Sequence, residues 1–425
     1  MPMTAERPFG SRLWRAGANM TMTIVMGFRV RNPNSAPDHL DGKRMIVSAA
    51  SMTLPCQRHL FDIPAGIAYL DGAAYSPLPQ SVRAAGQTGV LTKSQPWANP
   101  RSREDDWAGR ARAAAARLIG ARAEDVAIVS AVSHGIGTAA RNLPLPAGSR
   151  VLRVQDEFPS LALPWDRLAA EAGASVEIVP RPQDGDWTAA ILAAIARPGA
   201  PPLSVACLTP LHWSDGAIID LDRIAPAVHA AGAALVVDAT QAVGAMPVDV
   251  ARWQPDFLAF PTYKWVLGPY SLAFLYAAPH RQSGLPLEEN NSNRPAGHFA
   301  PGARRYDKGE RNDPIALPMA ATGLELVESW GTAAVEARLR GLTDRLAEGA
   351  AGLGLAVLPR PLRAPHILGL RIPGGMPPRL IEALAGRGVH VSDRLGVLRV
   401  SPHVWVDEAD LDQFQGTLAA ALGQA

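Results

Sequence analysis

The sequence predicts an α/β protein: a mostly parallel sheet of seven strands covered on both faces by helices, followed by a smaller α+β region. Three observations predict it. Short apolar runs recur along the middle of the chain, helical patterns separate several of them, and the alternation stops after Tyr306. The runs are Val126–Val129, Val151–Val154, Val176–Val179, Leu203–Leu208, Ala234–Val237, Phe257–Phe260 and Leu272–Tyr276. Helical patterns lie between them at Leu161–Ala172, Thr188–Ala196 and Leu221–Ala231. Continuous apolar runs, rather than alternation, are what strands buried on both faces require.

Upstream, Ile67–Leu70 reads as a short strand. From Arg103 to Ile119 the positions Trp107, Ala111, Ala114, Ala115 and Leu118 recur at helical spacing, and Gly120 closes the pattern. Downstream, one helical stretch is expected from Ala316 to Leu353, strands around Ile367–Ile372 and Val397–Val400, and a closing helix from Asp407 to Leu422. With 425 residues the chain exceeds one ordinary core. The expected division is a poorly ordered leader over 1–55, a large domain over 56–310 whose first part packs on the small domain, and a small domain over 311–425. Within the leader, Met45 and Met52 are equally eligible as the start.

Composition excludes several function classes. A net charge of +2 with no long basic run argues against nucleic acid or an anionic membrane as the main partner. No apolar stretch is long enough to span a bilayer. The segment Met20–Phe28 follows Arg12 and Arg15 but is short, threonine-interrupted and without a small-residue cleavage site, so it is not read as an export signal. Cys56 and Cys207 are too few for a disulfide framework or a four-thiolate metal site, which fits a reducing cytoplasm.

Lysine occurs only at positions 43, 93, 264 and 308. A chain that uses arginine for generic positive charge makes each remaining lysine a candidate for chemistry a guanidinium cannot do. Lysine can lose its proton and attack a carbonyl, and arginine cannot. Lys264 follows the run Phe257–Phe260 and lies among Tyr263, Trp265 and Val266, where partial desolvation would lower its pKa.

Ligands of doubly wound sheets sit outside the carboxyl ends of the strands. The run Val126–Val129 leads through a small polar turn into a helix read as Ile136–Asn142. Ser133 in that turn is either an ordinary helix cap or a donor to a phosphate seated on the helix start. Asp238 ends another run, either as a turn residue or as the acid that keeps a pyridine nitrogen protonated. A phosphate cup, a carboxylate for a ring nitrogen and an imine-forming lysine are together what pyridoxal 5′-phosphate (PLP) needs.

The block from Val236 through Asp238 to Gln241, then Pro255 and Asp256, then Tyr263, Lys264 and Trp265 with Gly268 and Pro269, resembles the class V aminotransferases of PLP fold type I. This group holds cysteine desulfurases, kynureninases and isopenicillin N epimerase-like proteins. The resemblance runs from Tyr69, Asp71 and Gly72 to the last helix, about residues 60–420.

It implies that Lys264 forms the Schiff base with the cofactor and moves the α-proton, that Asp238 pairs with the pyridinium, and that Gln241 bonds the ring hydroxyl. Ser133 and the backbone around His134 would hold the phosphate, with the Tyr263 phenol adding to it. Phe158 occupies the place of the residue that stacks on the ring. Arg399 matches the arginine that clamps the substrate carboxylate. Gly309 and Glu310 match the loop that reaches the partner subunit's phosphate in a homodimer. His212 and Trp213 fall at a cofactor-facing turn where either could touch substrate, although a lone histidine beside a tryptophan is more often structural.

The departures also matter. No cysteine lies in Val389–Leu398, where desulfurases carry their nucleophile, and Phe158 stands where they carry a histidine. The expected function is therefore a PLP enzyme acting on a small amino acid or conjugate, leaning to a carbon–sulfur lyase or related side-chain cleavage. The alternatives are an aminotransferase, then a racemase or epimerase, and, outside enzymes, a binding protein on a retired scaffold. A dinucleotide oxidoreductase fails for want of G-x-G-x-x-G after the first strand.

Overall fold

The computed structural model describes residues 54–98 and 102–423. The leader expected over 1–55 lies, up to residue 53, outside the described residues. A two-residue strand β1 (Ala68–Tyr69) precedes the main sheet, built from β2 (Val126–Val129), β3 (Arg150–Val154), β4 (Ser175–Val179), β5 (Leu203–Leu208), β6 (Ala234–Asp238), β7 (Phe257–Pro261) and β8 (Ala273–Ala277). Their order is β2-β8-β7-β6-β5-β3-β4. Only β8 runs against its neighbours, β2 and β7; every other pairing is parallel.

Strands β2, β6, β7 and β8 are buried at every position, which is why they read as unbroken apolar runs. The connecting helices include Val132–Asn142, Pro159–Ala172, Trp187–Ile195 and Leu221–Ala230.

A second, antiparallel sheet has the order β12-β13-β10-β9, from β9 (Ala356–Val357), β10 (Leu368–Arg371), β12 (Ser392–Arg394) and β13 (Val397–Val400). The remaining strand, β11 (Val389–His390), pairs in parallel with β1, so the start of the described chain is tied to its end. The Arg58–Asp410 ion pair at 2.7 Å adds to that tie.

The structure revises three expectations. The long helical stretch is two helices, Ala316–Trp330 and Thr332–Gly352, broken at Gly331, whose φ of 77° leaves the helical region. The helix after β2 starts at Val132, four residues earlier than read, with Ala131 as its N-cap. A helix over Gln80–Ser94 was not expected, because its sequence lacks an apolar stripe. Its glycines explain it. A Cβ on Gly86 would stand 2.7 Å from the Met319 sulfur, and one on Gly89 would stand 2.3 Å from the Pro314 carbonyl oxygen. Close approach to the segment Pro314–Met319, and not periodicity, makes this helix.

Two glycine substitutions should therefore move stability in opposite directions. Gly89→Ala should lower the urea midpoint, at a cost of about 1–3 kcal/mol for overpacking against backbone. Gly109→Ala lies mid-helix with nothing within 4 Å of the added carbon, and should raise stability by up to about 1 kcal/mol. Equal midpoints for the two variants would contradict the packing argument.

Candidate active site

The carboxyl ends of β2, β3, β5, β6 and β7 open on one side of the sheet. Because β8 is reversed, its beginning opens there too. Together they line a cavity of about 280 Å³. Its walls include Ser133, Phe158, Trp213, Asp238, Gln241, Tyr263 and Lys264, so sequence-predicted residues from five different loops converge.

Lys264 is 8% exposed. Burial pushes its amine down to about 8, Arg399 pushes the same way, and Asp238 opposes them. The ammonium nitrogen lies 5.5 Å from the Tyr263 ring centroid. Tyr263 stacks on Tyr270 at 4.1 Å between centroids, and Tyr270 on Tyr75 at 5.0 Å. Asp238 accepts the Thr240 N–H at 2.9 Å. Burial raises its carboxyl, while Thr240 and Lys264 act to lower it.

Ser133 is not a cap. It lies within the first turn, and the N–H groups of Val132 and Ser133 have no backbone or side-chain acceptor among the described residues. That leaves a helix start aimed at an anion. Phe158 lines the cavity edge-on to Trp213, with 5.6 Å between centroids, and the Trp213 indole N–H donates to the Asp156 carbonyl at 2.8 Å.

Four expected residues lie elsewhere. His134 does not line the cavity: its Nδ1 is 3.2 Å from the Ser130 hydroxyl, and its backbone N–H is used by the Ala131 carbonyl. His212 also stays out. It is fully buried, stacked on Trp187 at 5.3 Å and held 3.1 Å from the Gln155 carbonyl, so it shapes the turn that presents Trp213. Arg399 is 2% exposed and does not line the cavity. Its guanidinium donates to the Trp213 carbonyl at 3.0 Å and to Asp71 at 3.3 Å, and burial pushes it down to about 10. Gly309 donates its N–H to Glu288 of its own chain at 2.7 Å.

Neither cysteine reaches the cavity. Cys207 is buried in β5 and its thiol is raised by burial, while Cys56 sits beside the Trp405 carbonyl.

One cavity residue carried no legible signal. Glu157 is buried, accepts the Phe158 N–H at 2.7 Å through Oε1, and leaves Oε2 enclosed with no partner. It has no ion-pair partner among the described residues, and burial pushes its carboxyl up to about 8, with Asp238 acting in the same direction. In sequence it is one acid among 39, beside Asp156.

Comparison with known proteins decides the family. Residues 68–407 match the family Aminotransferase class-V. The chain belongs to that family. It is similar to an isopenicillin N epimerase of Streptomyces clavuligerus, 26% identical across 74% of this chain and 84% of the relative. A kynureninase of Deinococcus radiodurans is 29% identical across 68% of this chain and 72% of its own. Among solved structures, a cysteine desulfurase from Thermococcus onnurineus NA1 superposes with a TM-score of 0.76 at 21% identity, covering 87% of this chain and 98% of that one. The cystine C–S lyase C-DES superposes with a TM-score of 0.75 at 19% identity, covering 84% and 98%.

This class V chain is thus a PLP-dependent enzyme of fold type I. The donor set fits the cofactor: an amine brought down toward neutrality, a buried carboxylate, and a helix start with unused N–H groups.

Glu157 predicts a pH signature of stability. A carboxyl raised to about 8 binds its proton more tightly folded than unfolded, so its contribution is full below the ordinary carboxylate range and is lost as pH rises to about 8. Glu157→Gln, neutral throughout, should gain stability relative to the parent between pH 5 and pH 8, by on the order of a few kcal/mol. Urea midpoints across that range check it, and parallel profiles would contradict a buried neutral acid.

Proposed function

We propose that this enzyme cleaves the bond between the β-carbon and its sulfur or related substituent in a small amino acid or conjugate. The observation that carries the reading is that, among the described residues, Lys264 is the only cationic side chain lining the cavity, amid aromatic and small polar walls. Bound PLP supplies an electron sink for the carbanion at the substrate α-carbon.

The protein's own groups do the rest. Lys264, with its amine near 8, holds the cofactor, takes the α-proton and returns protons within the cavity. Asp238 keeps the proton on the pyridine nitrogen, and Gln241 bonds the ring oxygen. Ser133 and the first-turn N–H groups take the phosphate. Phe158 covers the ring, and Trp213 flanks the substrate. Arg399 binds the substrate carboxylate once it exchanges the Trp213 carbonyl or Asp71 for the ligand.

Expulsion of a side-chain thiolate needs only this one base. The Phe158 ring offers no acid–base group for a two-base epimerisation, which would fall to the neighbouring Glu157 carboxyl. Transamination with a dicarboxylic acceptor needs a second cation in the cavity for the distal carboxylate, and among the described residues the walls provide only Lys264. A persulfide route lacks its cysteine.

The test is a screen of amino acids and cysteine conjugates for pyruvate, ammonia and thiol alongside amino-group transfer. Release of all three products, lost in Lys264→Ala together with borohydride-fixed cofactor, is expected. Keto-acid-dependent amino transfer without thiol release would overturn the lyase reading, and an adduct retained in the mutant would overturn Lys264.

A homodimer is part of the proposal. Tyr75, Leu91, Trp97 and Tyr270 are exposed apolar side chains, with Trp97 at 83%. The segment around Gly309 is the family's reach toward the partner's phosphate. A cytoplasmic enzyme fits two free cysteines. Among the described residues no helix is long and apolar enough to cross a membrane. Sedimentation equilibrium should return about twice the 45.0 kDa chain mass. A fully active monomer would contradict it.

A further inference from the structure

The side-chain amide of Gln241 has one oxygen and one NH₂ group, and only its hydrogen-bond partners fix which end faces the cofactor. The Trp265 indole N–H, a donor only, reaches the Gln241 Oε1 at 2.8 Å. Gln241 Nε2 donates one hydrogen to the Ala73 carbonyl at 3.1 Å. The indole holds the amide oxygen on the Trp265 side and one N–H is used, so the donor available to the cavity that Gln241 lines is the second N–H. The backbone of Gln241 is pinned as well, since His366 Nε2 bonds its carbonyl oxygen at 2.5 Å.

Trp265 itself has little room to turn. It is 1% exposed, stacked on His403 at 5.1 Å and edge-on to His366 at 4.4 Å between ring centroids. On its backbone side, a Cβ on Gly244 would come within 2.6 Å of the Trp265 carbonyl oxygen. Burial pushes both histidines down to about 3, so neither brings a charge against the indole at neutral pH.

We propose that Trp265 is a positioning residue that locks the Gln241 amide so that an N–H, and not the carbonyl, is offered to the cofactor's ring oxygen. The inference rests on the reading of Gln241 as the ring-oxygen partner. Offered that N–H, the cofactor's ring oxygen would be held as a hydrogen-bond acceptor in its anionic form. Without the indole N–H the amide can turn over and present its oxygen, which repels that charge.

The test uses the holoenzyme with PLP itself as the probe. The dissociation constant and the absorption spectrum of bound PLP, with the pH midpoint of that spectrum, are measured in the parent, Trp265→Phe, Gln241→Leu and the double variant. Loss of one such hydrogen bond should weaken PLP binding by about threefold to tenfold. Gln241→Leu and Trp265→Phe should shift the pH midpoint in the same direction, and the double variant should equal Gln241→Leu rather than add to it. No change in Gln241→Leu would overturn the reading of Gln241. A clear change there with none in Trp265→Phe, or additive effects, would overturn the role of Trp265 and leave Gln241 standing.

Trp265→Phe opens space in the core, so its folding is checked by urea midpoint. If it does not fold, tryptophan indole ¹⁵N spectra of the parent and Gln241→Leu carry the test. The Trp265 N–H should be protected from exchange in the parent and lose protection in Gln241→Leu, and equal protection overturns the proposal.

Discussion

Everything at the site depends on how the amine of Lys264 is buried. An ammonium in water holds its proton too tightly to attack a carbonyl near neutral pH, and burial alone would remove that proton but leave nothing to balance the rest of the cavity. Here burial and Arg399 push the amine down while Asp238 pulls it back, with the result near 8. Each contributing charge is in turn restrained. Asp71 accepts from both Arg399 and Ser392, so the arginine's charge is partly neutralised where it stands. Asp238 is fixed by Thr240, and the nearby Glu157 is kept neutral by burial, so one carboxylate and not two carries charge in the cavity.

The sheet makes that balance possible by bringing distant loops to one side. Parallel strands deliver their carboxyl ends together, and the reversal of β8 lets a single connection, residues 262–272, double back across the same opening. Lys264 lies on that connection, and its ends are held by the Thr262 N–H to the Leu272 carbonyl at 3.1 Å and the Gly268 N–H to the Thr262 carbonyl at 2.7 Å. A lysine on a free surface loop would stay hydrated and charged. Closure of this loop on itself keeps the amine inside.

A ladder of rings joins this loop to the segment that follows β13 and to β1. Trp265 stacks on His403, and His403 on Trp405 at 4.6 Å, while the Trp405 indole donates to the Tyr69 carbonyl at 2.9 Å. Offset aromatic contacts of this kind resist sliding, and His403 in the ladder, like His366 edge-on to Trp265, is a neutral histidine that would destabilise the core if charged. The position of Lys264 is thus set partly by residues more than 100 positions away in sequence.

The sequence by itself determined the strands, because burial on both faces demands unbroken apolar runs, and β2, β5 and β13 begin and end where those runs do. It also marked Lys264 and Asp238, since a scarce lysine and an acid at a strand end are chemically conspicuous. Tertiary structure alone decided what depends on neighbours. The glycines of Gln80–Ser94 form a helix because another segment presses against them, and nothing periodic announces that. In the string His212 stands out as a possible substrate contact and Glu157 does not. Which one faces the cavity follows from how the turns after β5 and β3 fold: His212 is stacked under Trp187, while Glu157 lines the wall. The orientation of the Gln241 amide is set by an indole 24 positions on, a contact that exists only once β6 and the loop after β7 are side by side.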